Sequence, residues 1–80
     1  MAVTKRIVEY HIGRLQDKNR DARLKSIAEL TLLCDPDSME ALQLVFQNDV
    51  DEEVRKAARE AGRKIFLNNQ TGKASDGGKK

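Results

Sequence analysis

The chain has 80 residues, 15 of them basic and 13 acidic, so its formal net charge at pH 7 is +2. This near balance gives no indication, from composition alone, of binding to nucleic acid or to a membrane surface. Charged residues make up 35% of the chain and aromatic residues 4%, with no Trp and one Pro, a profile that favours an all-helical fold. At this length we expect one small domain whose stability is marginal.

The compartment is predicted from the cysteine count and from the apolar segments. The lone Cys34 cannot form an internal disulfide, which is typical of a reducing environment. The start MAVTKRIVEY lacks the apolar run of a signal peptide, and no stretch approaches the ~20 apolar residues of a membrane span. We therefore expect a cytoplasmic protein that does not bind membranes.

Apolar residues at helical spacing predict two helices in the first half of the chain. The first runs from about residue 4 to residue 16, with Thr4 as its N-cap, and the second runs from Asn19, its cap, to about Cys34. The last two turns of the second helix, LTLLC, are apolar nearly all round. We therefore expect this helix to lie in the middle of the packing.

Two further helices are predicted in the second half. Pro36 cannot continue a helix but suits the first position of a new one, so a third helix should run from 36 to 47 with Asp35 as its cap. Asp51 is the predicted cap of the fourth helix. One face of that helix is apolar or small throughout, and consists of Val54, Ala57, Ala58, Ala61, Gly62, Ile65 and Phe66.

Gly62 lies within the apolar face of the predicted fourth helix, and a polar segment follows that helix. A glycine costs roughly 1 kcal/mol against alanine inside a helix, so we expect Gly62 to mark a tight helix crossing. The segment 68–80 has no apolar residue larger than alanine, which predicts a flexible tail after a domain of residues 1–67. Short linkers make neighbouring helices antiparallel. The predicted fold is all-α: two stacked antiparallel helical hairpins, 4–34 and 36–67.

One pattern occurs twice in the chain. Asp17 and Arg23 correspond to Asp49 and Arg55, each offset by 32 positions (49−17 and 55−23). We refer to these four residues as the Asp–Arg ladder. An aspartate beside a helix start can accept hydrogen bonds from exposed backbone amides, and an arginine one turn into the helix can bind a carboxylate of the other copy. We therefore predict that Arg55 pairs with Asp17, or Arg23 with Asp49, and holds the hairpins in register.

The two copies, each with D-x4-[A/V]-R where the loop meets the second helix, resemble HEAT repeats. They are most similar to the short HEAT-like kind found in the bilin lyases of cyanobacteria and in many small bacterial proteins. The resemblance covers about residues 4 to 67, and it is best in NDVDEEVRKAAREA and LQDKNRDARLKSIAEL. The family's Val-Arg, buried Ala and later Leu are matched by Val54, Arg55 and Ala58, whereas Ala22, Ser26 and Gly62 depart from this pattern. The resemblance also implies, as an alternative function, a lyase-like or chaperone-like role towards phycobiliproteins.

Neither the one histidine nor the one cysteine lies in a sequence pattern typical of a catalytic site. His11 lies on the apolar stripe of the first helix and has no second histidine, so we expect a boundary residue with one ring nitrogen satisfied by backbone or water. Cys34 stands between apolar LTLL and acidic DPD, which predicts a buried structural thiol rather than a nucleophile or a bilin attachment point. The carboxylates of DPDSME and NDVDEE lack the spacing of a calcium loop. We expect no catalytic activity, cofactor, metal or small-molecule substrate.

The fourth helix carries a basic outer face formed by Arg55, Lys56, Arg59, Arg63 and Lys64. Nucleic-acid binding through this face is an alternative function that we do not favour. No aromatic residue is interleaved for base stacking. In addition, three pairs at i,i+4 spacing are expected to neutralise much of the charge, namely Asp51–Arg55, Glu52–Lys56 and Glu60–Lys64.

Protein binding is the function that the sequence favours. Helical repeats generally need about three units to bury a continuous core, and this chain has two. Apolar residues of the first or last helix should then remain partly exposed and form an interaction surface. We expect a small adaptor or scaffold that binds another protein, or a second copy of itself. The predicted contact residues are Ile65, Phe66 and Leu67 at the centre, with Arg59 and Arg63 at the rim.

Overall fold

A computed structural model of the chain describes the backbone of residues 2–78 and the side chains of residues 5–70. It has four α-helices, which are α1 (Ala2–Arg14), α2 (Arg20–Leu33), α3 (Met39–Asn48) and α4 (Glu52–Gly78). A single turn of 3-10 helix, Pro36–Ser38, precedes α3. No strand occurs within residues 2–78, and the all-α prediction is confirmed.

The helices form two pairs that stack side by side. Helix α1 packs on α2, α3 packs on α4, and α2 lies against α4 where the pairs meet. Helices α1 and α3 make no comparable contact, and an open groove of about 580 Å³ separates them. The stack is therefore closed along α2 and α4 and open along the other two helices.

The core draws on all four helices. Its buried apolar members are Val8, Leu15, Ile27, Leu30, Leu42, Val45, Val54, Ala58, Ala61 and Ile65. Helix α2 touches both α1 and α4, as expected for a helix in the middle of the packing. However, its apolar last turns are not covered on every side, because Leu32 is 78% exposed and Ala28 also faces solvent.

Three of the four predicted helix caps form. Oδ1 of Asn19 and Oδ1 of Asp51 each accept from the amides two and three residues ahead, at 2.8 and 3.2 Å for Asn19 and 2.8 and 3.1 Å for Asp51. Asp35 accepts from the amide two residues ahead at 2.8 Å. The prediction for Thr4 is wrong, because the helical backbone already begins at Ala2 and Thr4 lies inside α1.

The end of the packed region lies beyond the predicted boundary at residue 67. Helix α4 continues through that position, and Nδ2 of Asn69 donates to the carbonyl oxygens of Cys34 (3.2 Å) and Ile65 (2.8 Å). A polar side chain makes this contact, which a search for apolar residues does not detect. The predicted tail 68–80 lies mostly outside the described residues, since side chains are described only up to residue 70 and the backbone only up to residue 78. The flexibility of this tail therefore stays a prediction.

Arg23 and Asp49 join the two helix pairs. Nη2 of Arg23 donates to Oδ1 of Asp49 at 3.1 Å, and Nε lies 2.8 Å from Oδ2, with side chains only 12% and 9% exposed. The Nε contact is an ion pair without hydrogen-bond alignment. Of the two pairings predicted for the Asp–Arg ladder, this one forms. Arg55 does not reach Asp17, and instead donates from Nη1 to the carbonyl oxygen of Asp49 at 2.7 Å.

The ladder contacts also repeat within each copy. Oδ1 of each aspartate accepts from the amide two residues ahead, at 2.8 Å for Asp17 and 2.9 Å for Asp49. Nη1 of each arginine donates to the carbonyl oxygen of the aspartate six residues before it, at 2.9 Å for Arg23 and 2.7 Å for Arg55. Positions 32 residues apart therefore make the same local contacts, and the two loops share one design.

A second cluster of charges joins the starts of α2 and α4, and sequence reasoning missed it. Nε of Arg20 donates to Oδ2 of Asp51 at 2.8 Å, and Nη2 donates to Glu53. The hydrogen bond from the Val54 amide lowers the pKa of Asp51; burial opposes this shift, and Arg20 lowers the pKa further. The expected Asp51–Arg55 pair is wrong, because the Asp51 carboxylate is occupied by the helix start and by Arg20.

Replacing Asp49 by alanine should lower the free energy of unfolding by about 2–4 kcal/mol, because a largely buried Arg23 then loses its carboxylate. The matched control is Asp17→Ala. Asp17 holds its own loop in the same way but has no ion pair among residues 5–70, so we expect a loss of about 1 kcal/mol. Urea unfolding followed by circular dichroism measures both variants. Equal losses would contradict a registering role for the Arg23–Asp49 pair.

Stability should decrease in acid. The pKa of Asp51 in the folded chain lies below its ordinary value of 3.8. The ionised carboxylate therefore contributes fully to the free energy of unfolding above pH 3.8, and this contribution is lost as the pH falls through the folded pKa. Asp51→Asn keeps a capping oxygen but cannot titrate. Its free energy of unfolding should therefore change less than that of the natural chain between about pH 6 and about pH 3. Urea unfolding at a series of pH values gives the comparison, and parallel curves would refute it.

Candidate functional site

A small groove opens between α3 and α4 at the end of the stack. Its volume is about 260 Å³, and we call it the end groove. Its lining residues all come from the second helix pair, so it lies on the side that the first pair does not cover. They are Met39, Leu42, Gln43, Phe46, Ala58, Arg59, Gly62, Arg63 and Phe66.

The end groove has aromatic walls and a glycine in its lining. Phe46 and Phe66 are 38% and 50% exposed. A Cβ atom added at Gly62 would meet nothing within 4 Å, so the predicted tight crossing at this position is wrong. The buried small residues of α4 are instead Ala58 and Ala61, at 1% and 3% exposure. Gly62 therefore leaves a hollow in the helix surface.

The face of α4 that borders the end groove differs from the matching face of α2. Ile27 and Leu30 of α2 are buried, at 3% and 0% exposure. The positions 32 residues later hold the exposed Arg59 and the hollow at Gly62. Leu30 thus fills space in the first pair that stays open in the second. The second pair does not present the apolar surface on which a further unit of the same kind would pack.

The charge on this face follows the same trend. Leu24 and Thr31, both partly buried in α2, correspond to the exposed Lys56 and Arg63 of α4. The outer face of the second helix pair is therefore more polar and more basic than the matching positions of the first pair.

The basic face is less neutralised than the sequence predicted. Neither Glu52–Lys56 nor Glu60–Lys64 lies within the 4.0 Å of an ion pair among residues 5–70, so both predicted pairings are wrong. On an exposed helix, such pairs gain little and compete with solvation of each charge. Lys56, Arg59 and Arg63 accordingly have no carboxylate partner within the described residues, although Glu52 lies at the start of the same helix.

Arg55 lies one turn before Arg59 and is only partly exposed. Its Nη1 is used on the carbonyl oxygen of Asp49, as Nη1 of Arg23 is used on that of Asp17. In Arg23 the remaining edge, Nε and Nη2, holds a carboxylate. In Arg55 that edge has no acceptor among residues 5–70.

The structure brings together three of the five predicted contact residues. Arg59, Arg63 and Phe66 line the end groove. Leu67 is 46% exposed but does not line it. Ile65 is fully buried and belongs to the core, so its assignment to a contact surface is wrong. The apolar stripe of α4 is wider than the covered side, and periodicity alone does not show which residues lie at its edge.

Sequence reasoning missed the contribution of α3 to this site. Met39 and Phe46 of α3 line the end groove, and only the packed structure shows this. Sequence reasoning also missed the larger groove between α1 and α3, where Leu44 is 54% exposed and Val50, in the adjoining loop, is 90% exposed. That groove exists because these two helices stand apart, which no local pattern encodes.

His11 and Cys34 take structural positions. Nδ1 of His11 lies 3.2 Å from the hydroxyl of the buried Ser26, so its partner is a side chain rather than backbone or water. Cys34 is partly exposed, not buried as predicted, because it ends α2 in a left-handed conformation with φ of 51°. Its thiol donates to the carbonyl oxygen of Thr31 at 3.0 Å.

Replacing Gly62 by alanine should raise the free energy of unfolding by about 0.5–1 kcal/mol, because the methyl group enters open space and alanine favours the helix. Gly13→Ala is the comparison. A Cβ at Gly13 also meets nothing, but this residue lies at the end of α1, where we expect a smaller gain. Thermal and urea unfolding measure both. A loss of stability in Gly62→Ala would contradict the open hollow.

No protein-family model, curated protein or solved structure matches this chain. Within the described residues, no helix has the length and apolar character needed to cross a membrane. The same part of the chain contains no group of three or more His, Cys, Asp or Glu residues that could hold a metal ion.

Proposed function

We propose that this chain is a small, non-catalytic protein-interaction module of two HEAT-like repeats that acts in the cytoplasm as an adaptor or scaffold. The end groove carries the proposal. It joins an apolar hollow and two half-exposed phenylalanines to a rim of Arg59 and Arg63. Aromatic and arginine side chains are enriched at protein interfaces, where a few buried anchors supply most of the binding energy.

The repeated contacts of the Asp–Arg ladder support the HEAT-like part of the proposal. Asp17 and Arg23 make the same backbone contacts as Asp49 and Arg55, which is expected of two copies of one structural unit. In stacks of such units each unit contacts only its neighbours, and the exposed surfaces serve for binding.

The size and chemistry of the end groove favour a protein side chain over a small substrate. Its volume of about 260 Å³ is below the roughly 300–1,000 Å³ of typical small-molecule sites. Its lining residues include no carboxylate, histidine, cysteine or hydroxyl group. Nucleophiles and general acid–base groups are drawn from those types in most enzymes. This composition supports binding without chemistry.

Nucleic-acid binding is the second candidate, because the expected neutralising pairs along α4 are not formed. Lys56 and Lys64 therefore lack the carboxylate partners that the sequence predicted, in addition to Arg59 and Arg63, which have none among residues 5–70. Phe66 also lies beside Arg63 in the end groove, where a base could stack on it. The two candidates differ in the molecule that binds this surface in the cell, which is a protein in the first and a nucleic acid in the second.

A photo-crosslinking amino acid in place of Phe66 tests the proposal in cells of the organism that carries the chain. The control position is Tyr10 on α1, which is 58% exposed, belongs to the first helix pair and does not line the end groove. We expect protease-sensitive adducts from position 66 that exceed those from position 10. Arg59→Glu combined with Arg63→Glu should remove most of them.

Other outcomes of the same experiment discriminate the alternatives. An adduct of twice the 9.0 kDa chain mass would identify a second copy as the partner. Nuclease-sensitive adducts would favour nucleic-acid binding over protein binding. Equal adducts at the two positions, or adducts that persist in the double arginine variant, would contradict a protein-binding role for the end groove.

A further inference from the structure

We propose that the end groove binds an acidic segment of a partner protein, one carboxylate of which pairs with Arg55 as Asp49 pairs with Arg23. This inference rests on the proposed function and adds the chemistry of the partner. The chain itself supplies the template. In its first copy, the equivalent arginine holds a carboxylate at 2.8 and 3.1 Å, in a contact that is largely shielded from water.

The contacts of Arg55 indicate where its free edge lies. Arg23 and Arg55 each place Nη1 on the carbonyl oxygen of the aspartate six residues before them. Because the side chains begin at matching positions and share this contact, the free edge of Arg55 corresponds to the edge of Arg23 that binds Asp49. An arginine edge of this kind fits a carboxylate with two parallel contacts. The counterpart that the first pair implies for Arg55 is therefore a carboxylate on the outer side of the second pair.

The face of α4 around Arg55 carries several exposed cations. The apolar contact that Ile27 makes in the first pair is replaced by the cation of Arg59 in the second. Arg63 lies one turn further along the end groove, and Lys56 is exposed one turn before. Helix α4 also carries Glu52 and Glu53 in its first turn and Glu60 beside Arg59. Glu53 pairs with Arg20, and none of the three carboxylates lies within ion-pair distance of Lys56, Arg59 or Arg63, so these cations have no carboxylate partner among residues 5–70. Complementary charge on the partner is therefore required.

The hollow at Gly62 leaves space for a side chain of the partner. Phe46 and Phe66 line the same groove, and a large side chain at position 62 would enter the open space there. A bulky apolar side chain of the partner can occupy this space and bury the exposed aromatic surface. The segment recognised is thus acidic, with at least one large apolar anchor. A nucleic-acid backbone has the charge but lacks an aliphatic anchor.

A second copy of this chain fits the face poorly. In the existing stack, Ala57 of α4 packs against the core shared with the first pair. In a second copy added head to tail, the matching position is held by Lys25, which is exposed. Lysine would then approach the basic face of Lys56 and Arg59. Like charges at an interface cost affinity and select against that partner.

Fluorescence anisotropy with a defined probe tests the inference on the full chain. The probe is a synthetic amphipathic peptide with several Asp and Glu residues and leucine anchors at i,i+4 spacing. Its control is the same peptide with every carboxylate replaced by the amide. We expect the acidic peptide to bind about tenfold more tightly, and to weaken as salt is raised.

Four variants locate the interaction. Arg59→Glu with Arg63→Glu should weaken binding at least about tenfold, whereas Arg6→Glu with Lys25→Glu, an equal change of charge at exposed positions of the first helix pair, should stay within about threefold. Gly62→Leu should abolish binding by filling the hollow without unfolding the chain. Arg55→Lys keeps the charge but loses the fork, so it should weaken the acidic peptide and leave the amide peptide unaffected.

The possible failures separate the inference from the proposed function. Equal binding of the two peptides, equal losses in the two double variants, or no effect of Gly62→Leu would overturn the acidic-segment inference, while position-specific protein adducts at residue 66 would still support protein binding. Tighter binding of a single-stranded oligonucleotide than of the acidic peptide, lost in the double arginine variant, would overturn both. Self-association in sedimentation that Arg59→Glu removes would assign the groove to a second copy instead.

Discussion

The arrangement of this protein depends on the ion pair between Arg23 and Asp49. Apolar burial holds the four helices together, but it is non-directional and leaves the two pairs free to slide against each other. A guanidinium that is 12% exposed has to keep its carboxylate, because an unpaired charge at that depth is strongly destabilising. The same side chain binds the carbonyl oxygen of Asp17, so one residue connects the loops of both pairs and sets their register.

The candidate site lies on the outer face of the second pair, where the loop arrangement of the first pair recurs without a carboxylate partner among residues 5–70. The second pair repeats the loop contacts of the first, so Arg55 is held in the same way as Arg23, but its remaining edge has no acceptor among residues 5–70. Around it, positions that are apolar and covered in α2 become basic or vacant in α4. An internal contact of the stack is thereby converted into a surface. The end groove lies in that surface, and its chemistry can be read by comparison with the first pair.

Sequence reasoning identified the parts of this surface better than their environment. It placed Arg59, Arg63 and Phe66 at a contact site, but added Ile65, which the packing buries. It paired Asp51 with Arg55 along one helix, whereas Arg20 reaches Asp51 from the neighbouring pair. It treated Gly62 as a point of close contact, although the helices approach at Ala58 and Ala61. Each error concerns which neighbour faces a residue, since helical periodicity specifies a stripe but not what covers it.

Local chemistry was enough to determine the helices, three of their caps, the pairing of neighbours through short linkers and the repeat at 32 residues. These features depend on contacts within a few residues, such as the amides that Asn19 and Asp51 accept from. Only the tertiary structure decided that Arg23 rather than Arg55 carries the ladder between pairs, that α1 and α3 stand apart, and that a hollow opens at Gly62. The reason is physical: these features depend on where separate helices come to rest, and side chains far apart in the chain compete for the same partners.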